Sequence, residues 1–248
     1  KEKAGIIKPN VPVIFAPQIS EAEKIFTSKA TSLNCPLTNV KENISWEITK
    51  LDSHKQKIEI TGELSDYSIE TNLLGDHQAD NAATSIATIE TLIKMGLSIK
   101  PKSIIKGFEK INLKGRLQVV ESNSTKFVLD GAHNPDSIQR LVFSFSKYFN
   151  PQKVILVFGC IHGHNYKEMI NNLSKLEPIF IVSKSRHPKS IEPSDISKEF
   201  ACDDFHLDSL QPTVSQAIDK SLTLATNKDI ILITGSFSVV GEALEKIE

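Results

Sequence analysis

Phe127-Val128-Leu129-Asp130-Gly131-Ala132-His133-Asn134-Pro135 decides how the second half of this chain folds. Three apolar residues read as a short buried strand. The six that follow pack a carboxylate, an imidazole and an amide into one tight turn. Asn134 suits a helix cap and Pro135 a first helical position. Working outward, strands are expected at Phe127–Leu129, Val154–Phe158, Ile179–Val182 and Ile230–Ile233, with a shorter one near Phe205–Leu207. Helices are expected at Ser137–Tyr148, Tyr166–Leu176, Pro193–Phe200, Val214–Thr226 and Val239–Lys246. Strand, crossover helix and strand repeated in this way predict an α/β fold with a doubly wound, mostly parallel sheet. Ligands of such sheets sit at the carboxyl ends of the strands. Three loops there carry small or polar residues: 130–135, 159–164 and 234–236.

Upstream the pattern differs. Pro12–Ala16 reads as a strand, and Ser20–Leu33 as an amphipathic helix with Ser20 as cap. From Leu37 to Glu70 the residues Ile44/Trp46/Ile48, Ile58/Ile60 and Tyr67/Ile69 alternate with polar ones. That period of two predicts half-buried antiparallel strands. Asp76–Met95 returns to helical spacing, with Asp76 as its expected cap and Gly96 as its stop, and Pro101 opens a further helix to Lys110. The polar stretch Asn112–Gly115 is the expected domain boundary.

Composition narrows the function classes. With a net charge of −1, the chain has no electrostatic footprint for nucleic acid or an anionic membrane. No apolar run reaches membrane-spanning length. Three cysteines, Cys35, Cys160 and Cys202, are too few and too scattered for a disulfide framework or a zinc site and suit a reducing, cytoplasmic setting. No G-x-G-x-x-G follows a predicted strand and no G-x-S-x-G occurs, which disfavours a dinucleotide oxidoreductase and a serine hydrolase. The chain opens Lys1-Glu2-Lys3-Ala4-Gly5 without an initiator Met and is expected to be a fragment.

The loop residues admit two readings each. Asp130 can accept hydrogen bonds from ribose hydroxyls or orient a basic group, and His133 can contact phosphate or polarise a carboxylate. Turn chemistry alone explains Gly131, Asn134 and Pro135 but not His133. By themselves Lys3 and Arg116 read as surface cations, Asn81 as a capping or packing amide, and Ser236 as a plain helix cap. His162 and His164 form an H-x-H without further ligands at convincing spacing, so a solvated loop or a phosphate-side contact is preferred to a metal site.

Five segments in order resemble the folylpolyglutamate and dihydrofolate synthases of the Mur ligase type. They are Glu2-Lys3-Ala4-Gly5-Ile6-Ile7-Lys8-Pro9; Gly75-Asp76-His77-Gln78-Ala79-Asp80-Asn81-Ala82; Gly115-Arg116-Leu117, with Lys114 where proline is usual; Asp130–Pro135; and Thr234-Gly235-Ser236 with Val240-Gly241-Glu242-Ala243. The resemblance implies residues 1–112 as the C-terminal part of a central ATP-binding domain with an antiparallel strand region. It implies residues 113–248 as a Rossmann-like C-terminal domain on the glutamate side. The implied reaction is ATP-dependent: a carboxylate of folate or dihydropteroate becomes an acyl phosphate, which the amine of L-glutamate attacks. ATP and magnesium (Mg2+) are the implied cofactors, in a cytoplasmic protein that is a monomer when full length.

The same resemblance implies roles. Lys3 matches a lysine that, carbamylated, helps hold magnesium. Asn81 matches a residue that meets adenine, with His77 and Gln78 as weaker companions, and Arg116 matches one that reaches the phosphates of ATP. Asp130 and His133 match residues on the nucleotide and glutamate side, and Ser236 matches a serine near the glutamate carboxylate. Departures are equally specific. The family's Gly-rich loop ending in Gly-Lys-Ser does not occur in these 248 residues. His162-Gly163-His164-Asn165 replaces an acidic D-K-D-like segment, and Ser238 stands where tyrosine is usual. The fragment is therefore expected to be inactive alone. The alternative is a non-catalytic nucleotide-binding or regulatory module of the same descent.

Overall fold

A computed structural model describes residues 2–122, 124–200 and 205–248; Lys1, Asn123 and residues 201–204, Cys202 among them, lie outside the described residues. The chain divides into two compact units, Lys1–Ile111 and Asn112–Glu248.

In the first unit, Lys3 lies on a 3-10 turn, Glu2–Ile6. Strand β1 (Val13–Phe15) pairs in parallel with β2 (Leu37–Asn39) across helix α1 (Ser20–Ser32), and a single turn α2 (Val40–Asn43) follows. Then β3 (Ser45–Leu51), β4 (Gln56–Thr61) and β5 (Asp66–Thr71) form an antiparallel meander in that order. Its alternation turns Ile58, Ile60, Tyr67 and Ile69 inward onto α3 (Asp76–Lys94), which presents Ala79, Ala83, Ile86 and Ala87. Small alanines let helix and sheet approach closely, and Ile104 of α4 (Pro101–Lys110) joins the same core.

Two caps differ from expectation. Ile19, not Ser20, is the N-cap of α1. Gly75, not Asp76, caps α3: at φ 112° it turns the chain into the helix, and its carbonyl accepts Gln78 N–H at 2.9 Å. A positive φ is open to glycine at little cost, so the backbone achieves what a side-chain cap would have done. Gln56, 1 % exposed, pins this entry by donating to the carbonyls of Leu73 (2.7 Å) and Gly75 (3.2 Å).

The second unit is built on six strands. They are β6 (Gln118–Ser122), β7 (Thr125–Leu129), β8 (Val154–Phe158), β9 (Ile179–Ser183), β10 (Leu207–Gln211) and β11 (Ile230–Thr234), in the order β10-β9-β8-β11-β7-β6. Every pairing is parallel except the β6–β7 hairpin. Strands β8 and β11 are buried at every position, as strands covered on both faces must be. Helix α5 (Pro135–Tyr148) leads from β7 to β8 and α6 (Tyr166–Leu173) from β8 towards β9. After a short turn α7 (Pro193–Ile196), α8 (Val214–Leu224) carries the chain back to β11, and α9 (Phe237–Ile247) follows it. One face of the sheet packs Phe127, Leu129, Val157 and Ile233 against Ala217 and Ile218 of α8 and Val240 and Ala243 of α9.

Candidate functional site

Because β11 lies between β7 and β8 and runs parallel to both, the three loops predicted at strand ends converge at the carboxyl end of the sheet. Backbone hydrogen bonds join them. Asp130 N–H donates to Ile233 O at 3.0 Å, Gly235 N–H to Ala132 O at 3.1 Å, and Gly159 N–H to Thr234 O at 3.3 Å. Gly235, at φ 107°, sits so close to this junction that a Cβ would lie 2.4 Å from Gly159 O. Only glycine fits both demands.

Asp130 is the buried anchor, 8 % exposed. Its Oδ2 accepts Leu117 N–H and its Oδ1 accepts Ala132 N–H, each at 2.8 Å. Leu117 is held at φ 47°, an uncommon conformation for leucine, which aims its N–H at the carboxylate. Burial pushes the Asp130 carboxyl up to about 6, against the two backbone bonds and the charges of Arg116 and His133. Asp130 thus binds its own chain and shapes the loop that carries Arg116.

His133 begins the turn into α5. Its Nδ1 lies 2.9 Å from Gly131 O, and a carbonyl can only accept, so Nδ1 carries a proton. In the neutral ring Nε2 is then the acceptor. Asn134 and Ser137 close a reciprocal cap below it: Ser137 N–H donates to Asn134 Oδ1 at 2.9 Å and Asn134 N–H to Ser137 Oγ at 3.1 Å.

Phe237 organises the rest. Its ring lies against Gly131, where a Cβ would approach ring carbons to 2.3 Å. Its centroid is 6.1 Å from the His133 ring, and the Arg116 guanidinium carbon stands 4.7 Å over its face. An exposed arginine is thereby stacked and directed. A groove of about 480 Å³ continues from Phe237 along α9 past Gly241 and Leu244, with Lys114 at its lip. Ser236, 3 % exposed, caps α9 by accepting Val239 N–H at 3.2 Å. Its Oγ also lies 3.0 Å from Ser238 Oγ. From the loop after β8, the His164 ring meets His133 edge to face at 5.2 Å. Cys160 in that loop is buried, and burial pushes its thiol up to about 12, so it is no nucleophile.

The structure therefore gathers Arg116, Asp130, His133 and Ser236 at the carboxyl end of the sheet. Lys3 and Asn81 belong to the first unit. Lys3 is exposed on its 3-10 turn. Asn81 is exposed in the second turn of α3, its amide donating to Gln78 Oε1 at 3.1 Å. Beside it, Asp80 accepts the indole N–H of Trp46 at 3.2 Å. Among the described residues no group of three or more His, Cys, Asp or Glu side chains converges as a metal site. Two members of the carboxyl-end site were not legible as such. Phe237 follows Gly235-Ser236, but its packing on Gly131 depends on two loops far apart in sequence. Ser185, whose Oγ donates to Ser238 Oγ at 3.0 Å, comes from the loop after β9, which was not among the three loops singled out in the sequence.

Comparison with known proteins identifies relatives of the chain. Residues 115–237 match the family described as Mur ligase, glutamate ligase domain. Along its whole length the chain is 25 % identical to a dihydrofolate synthase/folylpolyglutamate synthase of Bacillus subtilis, covering 57 % of that protein. The crystal structure of folylpolyglutamate synthase from Thermotoga maritima superposes with a TM-score of 0.82 at 26 % identity, covering 99 % of this chain and 56 % of the other. That of Mycobacterium tuberculosis, complexed with ADP and AMPPCP, shares the fold with a TM-score of 0.87 at 20 % identity, over 98 % and 57 %. The chain spans a little over half the length of these relatives.

Proposed function

Since the chain belongs to the Mur ligases, on the branch of the folylpolyglutamate and dihydrofolate synthases, we propose that it is the C-terminal part of an ATP-dependent ligase adding L-glutamate to folate or dihydropteroate. Residues 1–112 would complete the central ATP-binding domain and 113–248 form the glutamate-side domain. The observation that carries the reading is the meeting of Arg116, His133 and Ser236 around Asp130 and Phe237.

In this reading ATP transfers its γ-phosphoryl group to a substrate carboxylate, giving ADP and an acyl phosphate. The glutamate amine attacks the acyl carbon, phosphate leaves, and an amide remains. Such chemistry is governed by charge placement and by holding amine and acyl carbon close. Arg116, stacked on Phe237, supplies a directed guanidinium for phosphate oxygens. His133, its Nδ1 committed to Gly131, presents Nε2 to the substrate side. Ser236 offers a hydroxyl at the N-terminus of α9, where a carboxylate is favoured. Asp130 fixes the Arg116 loop through Leu117. Lys3, when carbamylated, would offer magnesium an oxygen ligand, and no step is assigned to the metal.

The test is glutamate-dependent ADP release by the full-length protein, assayed with folate and with dihydropteroate. Release that needs both glutamate and a pteroyl substrate is expected; none with either substrate would sink the reading. Nucleotide binding without release would favour a regulatory module instead.

A further inference from the structure

The loop after β9 is coupled to the site by hydroxyl groups. Ser190 Oγ and Ser185 Oγ are 2.6 Å apart, Ser185 Oγ donates to Ser238 Oγ at 3.0 Å, and Ser238 Oγ lies 3.0 Å from Ser236 Oγ. Ser185, Ser190 and Ser236 are buried, at 2 %, 9 % and 3 % exposure. Each hydroxyl carries one proton. Ser185 gives its proton to Ser238, so the contact with Ser190 must be donated by Ser190. Both loop hydroxyls are then committed. One of the two protons on Ser238 and Ser236 makes the bond between them, and the other is left over. Ser238, polarised by accepting from Ser185, is the better donor of that pair. Ser236 Oγ then accepts from Ser238 and from Val239 N–H, and its own proton is left free to donate elsewhere.

The same loop is tied to α9 a second time. Arg186 N–H donates to Glu242 Oε1 at 2.6 Å, and Arg186 Nε is 3.4 Å from it. Glu242 lies one turn after Ser238, so the β9 loop grips the first two turns of α9 on one face.

We propose that Ser185 and Ser190 are positioning residues that set the direction of this hydroxyl chain, so that Ser236 presents a donor to the carboxylate of the incoming amino acid. The inference rests on the ligase reading for its ligand and on the four hydroxyls for its mechanism. It also gives Ser238 a role of its own in place of the tyrosine that the family resemblance implies there: it relays the β9 loop to Ser236.

The experiment uses the full-length enzyme with Ser185→Ala and Ser185→Thr, and a crystal structure of Ser185→Ala. The alanine variant should raise the KM for glutamate about fivefold, the size of one neutral hydrogen bond, with kcat and the KM for ATP little changed. Threonine, which keeps the hydroxyl, should restore the wild-type KM. In neutron density of that crystal, the Ser236 proton should lie on the line to Ser238 Oγ, the reverse of its direction in the wild-type enzyme. A wild-type KM in Ser185→Ala, or a loss that threonine does not restore, overturns the inference while leaving the ligase reading intact. If the wild-type enzyme prefers another amino acid, the glutamate reading falls and the same KM ratio is taken on that substrate. If it turns over none, the neutron density decides, and a Ser236 proton still directed away from Ser238 overturns the proposal.

Discussion

Asp130 holds a charge where burial disfavours it. Its carboxyl titrates near 6 in the fold, against an ordinary value of 3.8, with burial as the main cause. Between those values the folded chain binds a proton that the unfolded chain has lost, so this group's contribution weakens as pH rises from about 4 to about 6. Asp130→Asn removes the titration. It adds a constant cost, because an amide has one acceptor oxygen for two backbone N–H groups. The stability of the variant relative to wild type should therefore rise by roughly 2–3 kcal/mol between pH 4 and pH 7. Urea unfolding at the two pH values checks this, and a difference independent of pH would contradict it. At this scale the turn at Asp130 and the Asn134–Pro135 start of α5 were legible as turn chemistry, and His133 stood out because a turn does not call for an imidazole. The directions of the hydroxyls at Ser185 and Ser238 were not, since serine in a loop has the same local chemistry whether it caps, turns or relays.

Elements were legible where one periodicity ruled and obscure where loops or edges did. Strands β8 and β11 are continuous apolar runs and emerged with boundaries within a residue of expectation. Strand β6 was missed because Gln118-Val119-Val120-Glu121-Ser122 is half buried at an edge and carries little apolar signal. The three-residue β2 and the single turn α2 are too short to show any period. Contacts between elements carry two predictions. Gly131→Ala drives a methyl into the Phe237 ring and should cost about 1–3 kcal/mol. Phe237→Ala should relieve most of that cost, so a double-mutant cycle read by thermal unfolding should show strong coupling, and additive effects would exclude the contact. In the first unit, Glu90 of α3 is 2 % exposed and accepts Glu63 N–H, Leu64 N–H and Tyr67 O–H at 2.8, 3.0 and 3.0 Å. It thereby pins the β4–β5 turn to the helix. Glu90→Ala should destabilise by about 3 kcal/mol, and faster hydrogen exchange at residues 62–66 should accompany the loss.

At the scale of the molecule, two compact units are built on different principles: one on an antiparallel meander under α3, the other on a mostly parallel sheet whose central strands are buried on both faces. No helix among the described residues is long and apolar enough to cross a membrane. The candidate site at the carboxyl ends of β7, β8 and β11 is proposed to bind and orient, while the chain contains no Gly-Lys-Ser phosphate loop. These 248 residues alone should therefore release no ADP above background, whereas the full-length protein should. A coupled ADP assay on both decides this, and turnover by the shorter chain would show that its own residues suffice.

The bond from Trp46 to Asp80 has an optical consequence. Trp46 is the chain's only tryptophan, and its indole N–H is fixed to the helical residue immediately before Asn81. The chain's one indole is thus wired to the residue next to Asn81, which the family resemblance matches to an adenine contact. Adding an ATP analogue should shift or quench its emission, and Asn81→Ala should abolish the response without altering the spectrum of the unliganded protein. A saturable change in the Trp46 emission, absent from Trp46→Phe, would then give the affinity without any label.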